Sequence, residues 1–343
     1  MKDSANLNVL RAIAVALVVC SHLALHFVDV LPAFNFRTLG RAGVAIFFVH
    51  TTLVLMMSLE RHGSTLGPFL VRRFFRIYPL SVTAVVAAAL LMQSGPSPIT
   101  AKQLFSNLLL VQNLTLQRSF PDPLWSLPYE VQMYFLLPAL YVFIRSRRST
   151  LLQATLLYAA SLGVAALAWH SGLKSLLVGF IPCFMAGALA YALRGHVHAR
   201  CSPWILFGAA LAGSWALAML VAHGMDEVTL FWALCLLIGL VIPLCREVET
   251  VALVRGGAVI AKYSYGIYLS HVFVMWIVFA GGRPWYVQLL MFAWMQASVA
   301  YLLYRFIEGP AILLGGRLAQ RLQARENMGR TSLAVPSQVN PRG

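Results

Sequence analysis

Residues 7–30 read LNVLRAIAVALVVCSHLALHFVDV, an apolar run long enough to cross a bilayer as one helix. Arg11 and His22 interrupt this run, and an ionisable side chain in hydrocarbon is costly unless it finds a partner or water. Over the whole chain of 343 residues, 60% are hydrophobic and only 11% are charged, whereas about a quarter of the residues in soluble proteins are charged. The composition therefore predicts an integral membrane protein and excludes a separate globular catalytic domain.

Ten apolar runs, bounded by charged residues or by Gly and Pro, predict ten membrane spans. They lie near residues 7–30, 42–60, 75–94, 128–144, 151–170, 175–193, 204–222, 229–245, 264–281 and 286–307. With the N-terminus inside, 18 Lys and Arg fall in cytoplasmic segments and 6 on the opposite side. The positive-inside rule then predicts an all-α bundle of about ten transmembrane helices with both termini cytoplasmic.

Two segments outside the spans have a distinctive composition. Residues 310–343 are polar and end in SLAVPSQVNPRG, so we expect a membrane domain over 1–309 followed by a short, disordered cytoplasmic tail. The stretch from about 95 to 127, near SGPSP and containing FPDPLW, is the longest external segment. Its length and its prolines predict an ordered functional loop.

Charge, cysteine content and the N-terminus exclude several other classes. The 26 Lys and Arg against 11 Asp and Glu give a net charge of +15. Basic loops at an anionic inner leaflet account for this excess, so we predict no nucleic-acid partner. The five cysteines are scattered without a CxxC pair, which predicts neither a disulfide framework nor a metal site. The first residues resemble a signal peptide, but Arg11 breaks the apolar run and no A-x-A site follows.

Arg11 and His22 are candidates for function on the first helix. Eleven residues separate them, which places both on one face at a distance of about 16 Å, with Arg11 about 6 Å deep and His22 about 22 Å deep. Arg11 could instead snorkel toward the inner headgroups, and His22 could be a neutral buried imidazole bonded to a neighbour. His26 lies one turn beyond His22, but no acidic or Cys partner is nearby, so we predict no metal site.

Three further groups of polar residues lie at or within predicted spans. Glu130 begins the fourth span, with Trp125 and Ser126 just before it and Tyr134 one turn beyond on the same face. Glu130 could also cap the helix, and the aromatic residues could be interfacial anchors. In the ninth span, Ser264, Tyr268 and His271 follow at helical spacing, where polar contacts between helices are the alternative. Arg73 and Arg76 share a helical face at the inner boundary, a pairing that suits phosphate groups as well as topology.

In this order, the motifs resemble those of the acyltransferase 3 family of integral membrane acyltransferases, and the resemblance runs nearly end to end. The matching segments are Arg11 with His22, GRAGVAIFF from Gly40 to Phe48, Arg73 and Arg76 with Tyr78 and Pro79, Trp125–Ser126–Leu127 with Glu130 and Tyr134, Ser264 and Tyr265 with Tyr268, Leu269 and His271, and Glu308 with Pro310. One segment departs from the family pattern, because His50, Thr51 and Thr52 stand where many members read roughly Leu-Ser-Gly. This departure is consistent with a different acceptor pocket.

The resemblance implies an O-acyltransferase whose donor is acyl-CoA on the cytoplasmic side, with acetyl the commonest acyl group of the family. It implies that the CoA phosphates meet Arg11, Arg73 and Arg76, and that no cofactor is permanently bound. Histidine exchanges a proton near neutral pH, so His22 is the expected general base toward a hydroxyl of a glycan acceptor; the alternative is that His22 carries the acyl group itself. Glu130 is the second expected catalytic residue, either orienting His22 or binding the acceptor. The expected substrate-binding residues are Trp125, Ser126, Tyr134, Ser264, Tyr268 and His271.

Other functions remain open from the residues alone. A transporter or flippase also places Arg, His and Glu in the membrane, and a membrane scaffold could use them only to hold helices together. Within the enzyme class, the acceptor could be a small molecule or a lipid instead of a cell-surface polysaccharide or lipid-linked sugar. The family and the ten-span topology imply the inner membrane of a bacterium. The acyl group, the acceptor, the oligomeric state and whether CoA or only its acyl group crosses the bilayer are not specified by the sequence.

Overall fold

The protein is a bundle of helices in a computed structural model that describes residues 4–28, 33–63, 65–92, 99–145, 149–172 and 177–334. The α-helices in chain order are α1 Ala5–Phe27, α2 Phe36–His62, α3 Leu66–Met92, α4 Ala101–Leu108, α5 Leu127–Arg145, α6 Thr150–His170, α7 Ile181–Leu193, α8 Pro203–Ala222, α9 Glu227–Val241, α10 Val251–Val278, α11 Trp285–Leu303 and α12 Gly309–Ala334. Short 3-10 turns precede α5 and α7, and a π-helical turn joins α11 to α12. Within these ranges, an isolated β-bridge pairs Cys201 with Cys245.

The prediction of an all-α membrane bundle is confirmed. A helix occupies each of the ten predicted spans, and eight helical segments of the described chain are long and apolar enough to cross a membrane. The other two are Leu177–Leu193, which is shorter, and α10, which carries Arg255, Lys262 and His271 among its apolar residues. Large apolar side chains such as Leu90, Trp204 and Trp294 are exposed on the outside of the bundle, as a lipid-facing surface requires.

Three helices begin six or more residues before their predicted spans, because basic residues ended the apolar runs used to place those spans. The second span was predicted to start at 42, the third at 75 and the ninth at 264, whereas α2 starts at Phe36, α3 at Leu66 and α10 at Val251. Arg72, Arg73 and Lys262 therefore lie within helices. A charged residue ends an apolar run in the sequence, but it continues a helix when its side chain enters a polar cavity.

The prediction of a disordered tail is wrong for residues 310–334, which form most of α12. This helix packs along α3, where Gly315 lies so close to Phe75 that an added Cβ would sit 2.5 Å from the Phe75 Cβ atom. Ala319 is fully buried, and the Gln323 side chain donates a hydrogen bond to the His62 carbonyl. The sequence analysis missed this helix because the segment is polar overall, whereas its packing depends on a narrow stripe of small residues. Residues 335–343 lie outside the described chain.

Helix α2 is the centre of the bundle. Over its most apolar stretch of 18 residues, 72% of the residues are buried, the highest fraction among the candidate membrane spans. A Cβ atom at Gly43 would lie 2.5 Å from the Ala14 carbonyl oxygen of α1, so the two backbones are in direct contact. On another side of α2, Gly187 of α7 touches the Val49 carbonyl in the same way. Small residues permit such close approach between membrane helices, where packing is the main source of association.

The segment between α3 and α5 is an ordered structure, as predicted, over its described residues 99–126; SGPSP lies largely outside them. The Asn107 side chain donates to the Arg118 carbonyl and accepts from the Phe120 backbone amide. The Gln112 side chain donates to the Leu124 carbonyl at 3.1 Å. These buried side-chain amides stabilise the segment, and its last element, the 3-10 turn Asp122–Ser126, continues directly into α5.

We predict that Gly43→Ala destabilises the protein, because its new methyl group forces α1 away from α2. Overpacking of this kind costs about 1–3 kcal/mol. The measurement is the thermal unfolding midpoint of the purified protein in detergent. Gly163→Ala on α6 is the matched control, since nothing lies within 4 Å of a Cβ built there. Equal midpoints for both variants would contradict the direct contact between α1 and α2.

Candidate active site

Three cavities follow one another through the bundle, and we name their sides by the orientation predicted from the basic residues. The inner vestibule, the central chamber and the outer pocket contain about 890, 730 and 980 Å³ of empty space, part of it open to the exterior. Arg11, His50 and Val54 line both the vestibule and the chamber, and we call these three residues the neck. Val44 and Tyr268 line both the chamber and the outer pocket, and we call them the wall.

The cavities differ in the polar groups that line them. Besides the neck, the vestibule is lined by Ser4, Asn8, Arg61 and Lys262. The chamber contains Thr51, Arg73, Arg76, Ser126, Glu130, Tyr134 and Ser264. The outer pocket contains Ser21, His22, Arg37, Arg41, Asp122 and Trp125.

Arg11 projects from α1 into the neck and is held by α10. Its Nε donates a hydrogen bond of 2.6 Å to the Ser264 hydroxyl, which in turn donates to the Ala261 carbonyl at 2.9 Å. The guanidinium carbon lies 6.0 Å from the centroid of the Phe47 ring. These contacts hold the guanidinium inside the bundle, so Arg11 does not simply snorkel toward the headgroups.

The two arginines of α3 both line the chamber but have different partners. Arg76 forms an ion pair with Glu308, whose side chain is fully buried at the end of the π-helical turn. The Nε of Arg73 is buried and has no hydrogen-bond partner among the described residues, which is costly by about 1–3 kcal/mol. Arg73 is therefore the guanidinium of this pair that is left to bind a ligand.

Glu130 accepts hydrogen bonds from two neighbours in the chamber. The Tyr134 hydroxyl donates to its Oε1 at 2.8 Å, one turn along α5, and the Thr51 hydroxyl of α2 donates to the same oxygen at 3.2 Å. The three chamber arginines thus face two carboxylates, those of Glu130 and of Glu308. One positive charge is left in excess when all five groups are ionised, which favours an anionic ligand.

The wall residue Tyr268 is tied to the outer loop. Its hydroxyl donates to the Pro123 carbonyl at 2.6 Å and lies 2.8 Å from the Ser126 hydroxyl. Because the single proton of the phenol is directed to Pro123, Ser126 is the donor of the second bond. Trp125, between these two loop residues, is half-buried and faces the outer pocket. The guanidinium of Arg41 lies 6.0 Å from its ring centroid.

His22 and His271 form a pair of imidazoles at the level of the outer pocket. Their ring centroids are 4.8 Å apart at an interplanar angle of 71°, and the Nε2 of His271 lies 3.4 Å from the Nδ1 of His22. The Nδ1 of His22 is also 2.9 Å from the Val18 carbonyl oxygen, and the Nδ1 of His271 is 2.7 Å from the Tyr268 carbonyl oxygen.

The hydrogen bonds of the pair fix which nitrogens carry protons. A carbonyl oxygen only accepts, so in the neutral rings the proton of each histidine lies on Nδ1. The lone pair of His271 Nε2 then points at the Nδ1–H of His22, and the Nε2 of His22 keeps a free lone pair. His22 is therefore arranged as a proton acceptor whose protonated form His271 can stabilise.

Most of the predicted site residues line the three cavities. Glu130 and His271, however, have positions that differ from the expected ones. Glu130 lies in the chamber and His22 in the outer pocket, so the contact of His22 is His271 and not Glu130. His271 is fully buried and is not among the residues that line the three cavities, so its contact with this region is through His22. His26 stacks on Phe279. The described residues contain no group of three His, Cys, Asp or Glu side chains that could hold a metal ion.

Several residues of the path were not predicted from the sequence. Arg61 and Lys262 line the vestibule, and Arg37 and Asp122 line the outer pocket. In the sequence, all four lie between or at the ends of apolar runs, where charged residues are common and need no role at a site. His50 was noticeable only as a departure from the family pattern, and its place in the neck gives that departure a structural meaning.

Comparison with known families confirms the resemblance. The acyltransferase 3 family, described as an acyltransferase domain, matches residues 4–306. The chain belongs to this family. The match ends just before α12, so that the three cavities are built almost entirely within the region shared with the family.

One curated relative is an acyltransferase called MdmB from Streptomyces mycarofaciens. It is 32% identical to this chain over 120 residues, which are 32% of this chain and 31% of the relative. The aligned part is thus about a third of the relative's length. No solved structure matches the chain. Its family and the eight helical segments of the described chain that are long and apolar enough to span a membrane show that the protein is a multi-pass membrane protein.

We predict that Arg76→Met destabilises the protein strongly, because it leaves the Glu308 carboxylate buried without its partner. Breaking a buried ion pair costs about 3–5 kcal/mol, whereas replacing both members by apolar side chains is much milder. Thermal unfolding of Arg76→Met, Glu308→Met and the double variant forms a double-mutant cycle that measures the coupling. Additive losses in the double variant would show that the pair is not coupled.

Proposed function

We propose that the acyltransferase moves an acyl group, with acetyl as the expected cargo, from acyl-CoA on the inner side to a hydroxyl of a carbohydrate acceptor in the outer pocket. The observation that carries this proposal is the series of three cavities, because the vestibule and the chamber together contain five cationic side chains and the outer pocket contains His22. The five are Arg11, Arg61, Arg73, Arg76 and Lys262. Family membership supplies the reaction class. The cavities suggest where each substrate binds.

The donor side of the proposal rests on charge. A CoA molecule carries several phosphates and a long, uncharged pantetheine arm that ends in the thioester. In the proposal its phosphates lie against the positive charges of the neck and the chamber, where Arg73 has an unused Nε and Arg11 has only its Nε bonded to Ser264. The arm then extends past the wall toward His22, about 16 Å from Arg11 along α1.

The chemistry at His22 is a general-base transfer. The Nε2 of His22 takes the proton of the acceptor hydroxyl as the oxygen attacks the thioester carbonyl. The tetrahedral intermediate collapses with cleavage of the carbon–sulfur bond, and the CoA thiolate leaves and takes up the proton from the imidazolium of His22. The ester and free CoA are the products. The lone pair of His271 stabilises the His22 imidazolium between the two steps.

The acceptor side of the proposal rests on the outer pocket. Trp125 offers an aromatic ring against which a sugar ring can pack, and Arg37, Arg41 and Asp122 offer donors and acceptors to its hydroxyl groups. A cell-surface polysaccharide or a lipid-linked sugar fits such a pocket on the outer side of the membrane. We place the acyltransferase in the inner membrane of a bacterium, where both kinds of acceptor are assembled. A small-molecule or lipid acceptor is the alternative within the same reaction.

We predict that His22→Ala abolishes acyl transfer. Loss of a general base costs about 10²–10⁴-fold in rate. The measurement is transfer of label from radioactive acetyl-CoA in membranes that contain matched amounts of wild type or variant, with glycan, lipid and small-molecule fractions counted separately. His26→Ala is the matched control, because His26 is exposed one turn farther along α1 and stacks on Phe279.

Each outcome of this experiment separates the candidate functions. Label with wild type and His26→Ala, but not with His22→Ala, supports the proposal and identifies the acceptor class by its fraction. Equal label from all three proteins removes His22 from catalysis. An absence of label with every acyl-CoA tried, together with uptake or flipping that depends on His22, would favour a transporter.

We predict that His271→Leu lowers kcat about 10- to 100-fold, because the His22 imidazolium loses a hydrogen bond worth about 1.5–3 kcal/mol. The KM for acyl-CoA should stay close to that of wild type, since His271 lines none of the cavities. His271→Gln, which can place a polar atom near the former Nε2, should recover part of the rate. A structural role alone would instead lower the amount of folded protein and leave the kcat of the remainder unchanged.

A further inference from the structure

Helix α12 carries an exposed row of arginines that the function proposed above does not use. Arg317, Arg321 and Arg325 recur every four residues and are all exposed; we call these three residues the arginine row. Each lies about 6 Å farther along the helix than the one before it, and only about 40° around it. The match to the acyltransferase family ends at residue 306, so the row lies outside the matched region.

The arginine row faces away from the bundle. The packed face of α12 contains Gly315 against Phe75, the fully buried Ala319, and Gln323, which donates to the His62 carbonyl. These three residues of α12 also recur every four residues, and each arginine follows one of them by two positions. Two positions are a rotation of about 200°, so the row and the packed face are on opposite sides of the helix.

The arginine row has no anionic partner within the described part of the protein. The four ion pairs found there involve Arg41, Arg76, Arg145 and Arg194. The carboxylate of Glu326 lies beside Gly67 of α3, on the packed side of α12. Like charges one helical turn apart repel one another, so an external anion would stabilise the row.

The position of the row along its helix favours a membrane headgroup over a soluble anion. The continuous helical segment Trp285–Glu326 has 42 residues, or about 63 Å, which exceeds a hydrocarbon core of about 30 Å. Leu313 and Leu314 are 65% and 49% exposed, as expected for side chains in contact with acyl chains. Arg317 lies about 4.5 Å beyond Leu314, and the row extends about 12 Å farther. A headgroup layer is about 5–8 Å thick, so the row begins near the edge of the hydrocarbon and extends through this layer.

We propose that the arginine row binds anionic phospholipid headgroups of the inner leaflet, and that the bound lipid holds α12 against α3. A guanidinium can donate two parallel hydrogen bonds to one phosphate, and the negative surface of this leaflet attracts basic segments. Glu308, the partner of Arg76, immediately precedes α12, and α3 carries Arg73 and Arg76 of the chamber. Bound lipid therefore stabilises the helix pair that forms one side of the chamber. This inference does not depend on the proposed acyl transfer.

The test is thermal unfolding of the purified full chain in neutral-detergent micelles that contain increasing fractions of phosphatidylglycerol or of phosphatidylcholine. We expect phosphatidylglycerol, and not phosphatidylcholine, to raise the unfolding midpoint of wild type. In Arg321→Gln/Arg325→Gln, the fraction that gives half of the maximal shift should rise about 25-fold, since each basic residue near an anionic surface contributes about fivefold. Arg200→Gln/Arg255→Gln is the matched control, because it removes two exposed cations on the same predicted side and should respond like wild type.

Several results would overturn the inference. An equal response of wild type and Arg321→Gln/Arg325→Gln would place the lipid elsewhere, for example at the cations of the vestibule. An equal response to phosphatidylcholine would show that the charge of the headgroup plays no part. The same shift with inorganic phosphate at equal concentration would show that a membrane lipid is not required. Arg321→Lys/Arg325→Lys, which keeps both charges, should retain most of the response, and a loss as large as that of the Gln variant would exclude charge as the cause.

Discussion

The backbone contact between α1 and α2 is the constraint on which the rest of the structure depends. Because glycine at positions 40 and 43 lets the two helices touch, the polar face of α1 lies directly against the most buried helix of the bundle. Arg11 then shares a cavity with His50 and Phe47 of α2, and His22 lies one cavity farther out. A larger separation between α1 and α2 would open all three cavities to one another or to lipid.

The charged groups of the interior illustrate how a membrane protein keeps such groups in hydrocarbon. Each is either bonded to a neighbour, as Arg76 is to Glu308 and Glu130 is to Tyr134, or faces a cavity that water or a substrate can enter. Among the described Arg, Lys, His, Asp and Glu side chains, three buried atoms have no hydrogen-bond partner: the Nε of Arg73, the Nδ1 of His50 and the Oε2 of Glu308. All three belong to residues that line the chamber or to an ion-pair partner of such a residue, so the unsatisfied atoms of these residue types are concentrated at the candidate site.

The membrane class, the helix positions and the family were predictable from the sequence, because apolar length and short motifs are local properties. Contacts between helices were not. His22 contacts His271 because α10 lies closer to it than α5 does. The spacing of residues along one helix says nothing about such distances between helices. Helix α12 was missed because its packing depends on the complementary shape of Gly315 and Phe75 and not on its hydrophobicity. Lys262 was assigned to a loop because a cation that faces a cavity is indistinguishable in sequence from one that ends a span.

The hydroxyl of Tyr268 is bonded to Pro123 and Ser126, in the same external turn that carries Trp125. The turn that lines the outer pocket therefore also holds the wall between the chamber and the outer pocket. Lifting this turn breaks both bonds to the phenol, so the wall cannot loosen without a change in the outer pocket. In the proposed reaction, the donor arm can then pass the wall only when the turn moves, and until it does the thioester on the chamber side is sheltered from external water and from hydrolysis.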